Sequence, residues 1–117
     1  YNYIDAYNRF DIDSMVQYFS ENIVFENIQD GVFTIELKGL QAFMNQAMTA
    51  KSYFTERKQT IVAMNHFEDT TVINIEYFGI LAVDFPNGLK RSDHIKLTGK
   101  SIFKFKDRLV IKLTDIS

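Results

Sequence analysis

The chain has 117 residues, a net charge of -2 and 46% hydrophobic residues. Its 11 Phe and 6 Tyr supply enough apolar bulk for one domain without a disulfide or metal staple. It contains no Cys, which excludes thiol nucleophiles and thiolate metal sites. Lys and Arg are scattered rather than gathered into a stripe, so no nucleic acid is expected as a partner.

No apolar run approaches the ~20 residues of a membrane span, so no membrane partner is expected either. The chain begins at Tyr1 without Met, and a short preceding segment is expected. No basic start followed by an apolar run marks a secretory leader, and the default expectation is a cytoplasmic protein.

In chain order, Tyr3, Ala6, Tyr7 and Phe10 fall at i, i+3, i+4 and i+7, and Ile12, Met15, Val16 and Phe19 repeat that spacing. Two short amphipathic helices follow from this, the second capped by Asp11, with Asp13 in its first turn. Ser20-Glu21-Asn22 is expected to end the second helix, and residues 23–27 read as a strand.

Asp30-Gly31 is a turn signal. Val32 to Lys38 then alternates Phe33, Ile35 and Leu37 against Thr34, Glu36 and Lys38, as a half-buried strand does. Gly39 opens a third helix with the apolar face Leu40, Phe43, Met44, Ala47 and Met48.

The second half is strand-like. Arg57 to His66 leads through Glu68-Asp69 into Thr71 to Phe85, and Pro86-Asn87-Gly88 marks a turn. Lys90 to Lys106 returns, and after Asp107 the segment Arg108 to Ile116 closes the sheet. Helices placed early and long strands joined by short turns give an α+β domain, a curved antiparallel sheet wrapped around three helices of the N-terminal half.

In the last two strands, Ser101, Phe103 and Phe105 share one face, and Ile111, Leu113 and Asp115 share another. Phe78 to Val83 is apolar on both faces, so both sides are expected to be covered. A second copy of the chain is the simplest cover, and a homodimer is expected.

The order of these motifs resembles the nuclear transport factor 2-like superfamily, and within it the SnoaL-like group. The resemblance rests on Asn8, Asp11 and Asp13 between two opening helices, then Phe19-Ser20-Glu21-Asn22 leading into Ile23-Val24-Phe25-Glu26. It continues with Lys38-Gly39-Leu40, Ile75-Glu76-Tyr77 and Ile102-Phe103-Lys104-Phe105. It implies that residues 1–117 form one cone-shaped SnoaL-like domain with an apolar pocket between sheet and helices.

The group holds ketosteroid isomerases, polyketide cyclases, epoxide hydrolases and dehydratases beside non-catalytic members, so fold leaves function open. Carried over by position, the isomerase pattern puts its oxyanion-holding tyrosine on Tyr3, its general base on Asn27 and its second acid on Ser101. An amide cannot accept a proton from a carbon acid, which argues against isomerase chemistry of that type.

The candidate site is read from these positions. Tyr3, Tyr7 and Tyr77 would present hydroxyls to a pocket, against the alternative of ordinary packing. Asn27 could orient a ligand or satisfy groups at the strand end. Ser101 has no His base in prospect and is no nucleophile. Asp115, if inward, gains a raised pKa and becomes the candidate acid or base, with Tyr3 polarising a carbonyl; near a chain end the alternative is a solvated carboxylate.

Phe25, Met44, Met48 and Phe103 complete the expected pocket lining. His66 and His94 read as surface residues, and no spacing indicates a metal. Asn74 and Glu76 are expected to face away from Ile73, Ile75 and Tyr77. The function read here is a pocket for a small hydrophobic or aromatic molecule, serving a cofactor-free isomerase, cyclase or lyase. The alternative is a non-catalytic dimeric module for ligand binding or assembly, with a vestigial cavity.

Overall fold

The computed structural model describes residues 2–85 and 88–117. Helices α1 (Asn2–Asn8) and α2 (Ile12–Met15) precede strand β1 (Phe19–Gln29), which turns into β2 (Val32–Lys38). Helix α3 (Leu40–Lys51) follows, then β3 (Phe54–Phe67), β4 (Thr70–Leu81), β5 (His94–Lys106) and β6 (Leu109–Ile116). The strands form one sheet in the order β2-β1-β6-β5-β4-β3. It is antiparallel except where β6 lies parallel to β1. This places the last strand of the chain in mid-sheet, flanked on both sides.

Local chemistry accounts for the junctions. Asp11 caps α2, its Oδ1 accepting from the Ser14 amide at 3.2 Å and its Oδ2 from the Ser14 hydroxyl at 2.8 Å, the expected use of Asp before a helix. Asp30 and Gly31 both take positive φ, 52° and 79°, the two-residue hairpin turn that suits the twist of paired strands. Gly39 sits at φ 96° between β2 and α3, where its amide donates to the Ile23 carbonyl at 2.8 Å.

The second helix is shorter than its apolar spacing predicts. It ends at Met15, Ser20-Glu21-Asn22 are strand, and Phe19 opens β1. The reason is tertiary: the Val110 amide donates to the Tyr18 carbonyl at 2.8 Å, drawing this stretch onto β6. Phe10 leaves α1 with φ 59°. Pro86 and Asn87 of the expected turn lie outside the described residues. Beside them the Phe85 amide donates to the Leu89 carbonyl at 2.7 Å.

α1 rests on β3, while α3 rests on β1 and β2. Between helices and sheet lies a core of Ile4, Ala6, Ile12, Met15, Phe19, Ile23, Phe25, Phe43, Ile73, Ile75, Phe103, Val110 and Leu113. Its aromatic centre is continuous: Tyr3 meets Phe19 and Phe103 at centroid distances of 5.8 and 5.3 Å, and Phe43 meets Phe19 and Phe25 at 5.1 and 5.3 Å.

A register shift between Lys104 and Phe105 alters one expected face. Val110, opposite Phe105, takes the buried core position that simple alternation assigns to Ile111. Leu113 and Asp115 keep the inward parity. On the outer face of β4, Asn74 and Glu76 do point away from Ile73 and Ile75, and Phe78 and Ile80 are half-buried there. β4 stops at Leu81, so Val83 lies beyond the strand and is exposed. No helix is long and apolar enough to cross a membrane among the described residues.

Candidate functional site

Strand pairing sets one row of side chains across the inner face of the sheet. Ile35 of β2 pairs with Asn27 of β1, Asn27 with Asp115 of β6, Asp115 with Ser101 of β5, and Ser101 with Ile73 of β4. Three polar groups thus meet mid-sheet between aliphatic ends. Above them lies a cavity of about 370 Å³, whose walls include Tyr3, Tyr7, Phe25, Tyr77, Arg57 and Gln59, with Ala47 and Ala50 of α3 and Phe54 of β3.

Asp115 anchors this row. The Ser101 hydroxyl donates to its Oδ1 at 2.8 Å, and Ser101 is only 2% exposed. Burial penalises the charged carboxylate and raises its pKa from 3.8 to about 6, against the smaller lowering effect of the Ser101 bond. Its position in a central strand keeps it from fraying, so the solvated carboxylate of a chain end is not what forms.

The three tyrosines stay neutral. Burial pushes the Tyr3 hydroxyl well up, and the neighbouring Asp115 charge adds to this. Burial also raises Tyr7, opposed by Arg57 and by hydrogen bonds with Tyr77 and Gln59. Tyr77 rises through burial and then through Tyr7. The Tyr7 hydroxyl donates to that of Tyr77 at 2.8 Å. The cavity therefore offers phenol donors beside a carboxylate that is mostly ionised at neutral pH, a combination suited to moving a proton at a site polarised by a donor.

The other predicted residues divide. Phe25 and Asn27 line the cavity, but the Asn27 amide donates to the Thr34 hydroxyl at 2.8 Å, and that hydroxyl donates back to the Asn27 carbonyl. Asn27 is thus largely spent on tying β1 to β2.

Three expected pocket residues lie elsewhere. Phe103 is buried in the core against Tyr3 and borders a second cavity of about 380 Å³ with Met15, Met64 and Val110. Met44 packs against the core beside the cavity, and Met48 is 60% exposed. The cause is the rotation of α3, which turns Phe43, Ala47 and Ala50 inward and leaves Met44 and Met48 on its flank and outer side.

His66 and His94 are exposed; His66 Nδ1 meets the Thr71 hydroxyl at 2.9 Å, and the His94 ring meets Phe78 edge-on at 5.6 Å. No group of three or more His, Cys, Asp or Glu is placed to hold a metal among the described residues. A larger hollow of about 820 Å³ on the outer face is walled by exposed side chains such as Lys58, Glu76 and Lys96, with no buried polar group among them.

The model of the SnoaL-like domain matches residues 1–113. The chain belongs to the SnoaL-like domain family. Solved structures share its fold. A candidate polyketide cyclase from Xanthomonas campestris pv. campestris aligns with TM-score 0.85 and 15% identity, over 99% of this chain and 84% of that one. A cystatin-fold protein from Novosphingobium aromaticivorans aligns at 0.80 and 14%, over 99% and 92%. A protein with a ketosteroid isomerase-like fold from Catenulispora acidiphila, in complex with trimethylamine, aligns at 0.78 and 10%, over 97% and 80%. At these identities the likeness is one of fold. A search of curated proteins finds no match.

Arg57 and Gln59 are the residues of this SnoaL-like site that sequence reasoning missed. The signal was parity: both alternate with Lys58 and Thr60 and share the inward face of Ile61. An arginine near a strand end reads as solvated, yet here it is 4% exposed because α1 lies over it.

Proposed function

We propose that this SnoaL-like protein binds a small hydrophobic or aromatic molecule in the cavity above Asp115, and that Asp115 serves there as acid or base. The carrying observation is the inward carboxylate itself, bonded to buried Ser101 and raised to about 6. A base whose pKa lies near neutral pH is best matched to proton transfer. Tyr3, beside Asp115, would polarise a carbonyl of the ligand. A volume of about 370 Å³ lies at the lower end of the ~300–1,000 Å³ of small-molecule sites, which favours one or two rings. The chemistry in view is a cofactor-free isomerisation, cyclisation or elimination.

The open cavity with an inward carboxylate favours chemistry over a vestigial, packed interior. Binding is tested with 2-acetonaphthone, followed by amide chemical shifts. The reading requires shifts at Ser101, Asp115 and Gln59 that disappear in Ala47→Trp, which fills the cavity. Shifts confined to the second cavity, or none at all, would refute it.

The outer face of β4, with half-buried Phe78 and Ile80, supports a homodimer through the sheet. Light scattering showing only a 13.7 kDa species at micromolar concentration would rule that out.

A further inference from the structure

Arg57 is 4% exposed, yet forms no ion pair among the described residues. Its guanidinium is fixed from one edge and both aromatic neighbours. Nε donates to the Tyr7 carbonyl, in the last turn of α1, at 3.3 Å. The guanidinium carbon lies 3.8 Å from the centre of the Tyr7 ring and 4.4 Å from that of Phe10.

These contacts orient the group without using its terminal nitrogens. Nη2 is buried with no hydrogen-bond partner. Leaving a buried charged donor unpaired is costly, and a buried arginine ordinarily faces a carboxylate or its equivalent. Arg57 lines the Asp115 cavity. Two residues along the same face of β3, Gln59 is 8% exposed, and its Oε1 is buried without a partner as well. A cation and an acceptor, each with a buried polar atom that has no partner, therefore lie two residues apart on the strand face that lines this cavity.

We infer that the ligand of this cavity is a small aromatic carboxylate. The terminal nitrogens of Arg57 hold its carboxylate, and an adjacent hydroxyl or N–H of the ligand donates to Gln59. The inference rests on the reading that the cavity binds a small molecule, and it names the class. The planar guanidinium fork matches the two oxygens of a carboxylate. A monoanion suits the single cation better than a phosphate dianion, which would add a second negative charge to a space that already holds the Asp115 carboxylate.

The test compares two probes of nearly equal shape by calorimetry at pH 7.5: 2-naphthoate, and 2-acetonaphthone, in which a methyl replaces the charged oxygen. On the wild-type protein the naphthoate is expected to bind about tenfold or more tighter, as a charge-assisted pair requires. Arg57→Met should erase that preference while leaving the ketone bound. Arg57→Lys, which keeps the charge without the fork, should fall between.

Ketone binding with no preference for naphthoate overturns this inference alone. If neither probe binds, the ligand-cavity reading fails and takes the inference with it. The wild-type comparison decides the matter even if Arg57→Met does not fold.

Discussion

Asp115 ties the site to stability, and Asp115→Asn exposes the link. The buried carboxyl titrates near 6 in the folded protein, against an ordinary 3.8. At about 1.36 kcal/mol for each pH unit, the difference amounts to ~3 kcal/mol. The sign follows from which state holds the proton. Below pH 3.8 both states are protonated, and the fold keeps its full stability. As pH climbs from 3.8 to 6 the unfolded chain ionises first, so stability falls. Above 6 both are ionised and the loss levels off.

Asn carries no such charge, so the variant should match the wild type near pH 3.5 and exceed it by ~3 kcal/mol above pH 7. Urea unfolding of both proteins between pH 3.5 and 8 reads this, because every other titration cancels in the difference. With an m of about 1–3 kcal/mol/M, the midpoints should separate by about 1–3 M at high pH. A difference that stays flat across the range would show that Asp115 titrates as an exposed carboxylate, and the burial argument would be wrong. A gain in stability on removing the group is what a strained functional site produces.

Two further outcomes follow from local geometry. Ser101→Ala removes the 2.8 Å bond to Asp115 Oδ1, which lowers the Asp115 pKa. Carboxyl carbon NMR should show its midpoint move above 6, and stability should fall by about 1 kcal/mol at pH 7; an unchanged midpoint would contradict the assigned contact. Arg108 holds φ 69° after Asp107 at φ 52° in the β5–β6 turn, a conformation that favours glycine in the second place. Arg108→Gly should therefore raise stability by about 1 kcal/mol, seen as a higher urea midpoint, and a lower midpoint would refute the strain.

What was legible in the sequence was what depends on short-range periodicity. The strand Val32 to Lys38, the Asp30-Gly31 turn and the Gly39 start of α3 follow from alternation and turn chemistry, and they appear where those rules put them. Phe33 is the exception: expected on the buried face with Ile35 and Leu37, it is 63% exposed because the register shift beside Asn27 breaks the alternation at Thr34. The departures come from long-range pairing. The length of α2 is cut by the contact of Tyr18 with Val110, which no local pattern encodes.

The inward Asp115 has the right parity, but its burial depends on β6 lying parallel to β1, so that the end of the chain enters mid-sheet. Arg57 was hidden for the same reason: only the seating of α1 on β3 converts a strand-end arginine into a buried one. Met48 failed because helical spacing gives a stripe but not the rotation of the helix about its axis.

The central claim is that Asp115 moves a proton on a molecule held in the cavity. It is tested most directly by deuterium exchange at the activated CH₂ of 2-tetralone in D₂O, followed by NMR with wild-type protein and Asp115→Asn. The account predicts exchange faster than buffer, rising with pH and levelling above about 6, and reduced ~10²-fold or more in the variant. Exchange no faster than buffer, or equally fast with Asn at 115, would contradict it.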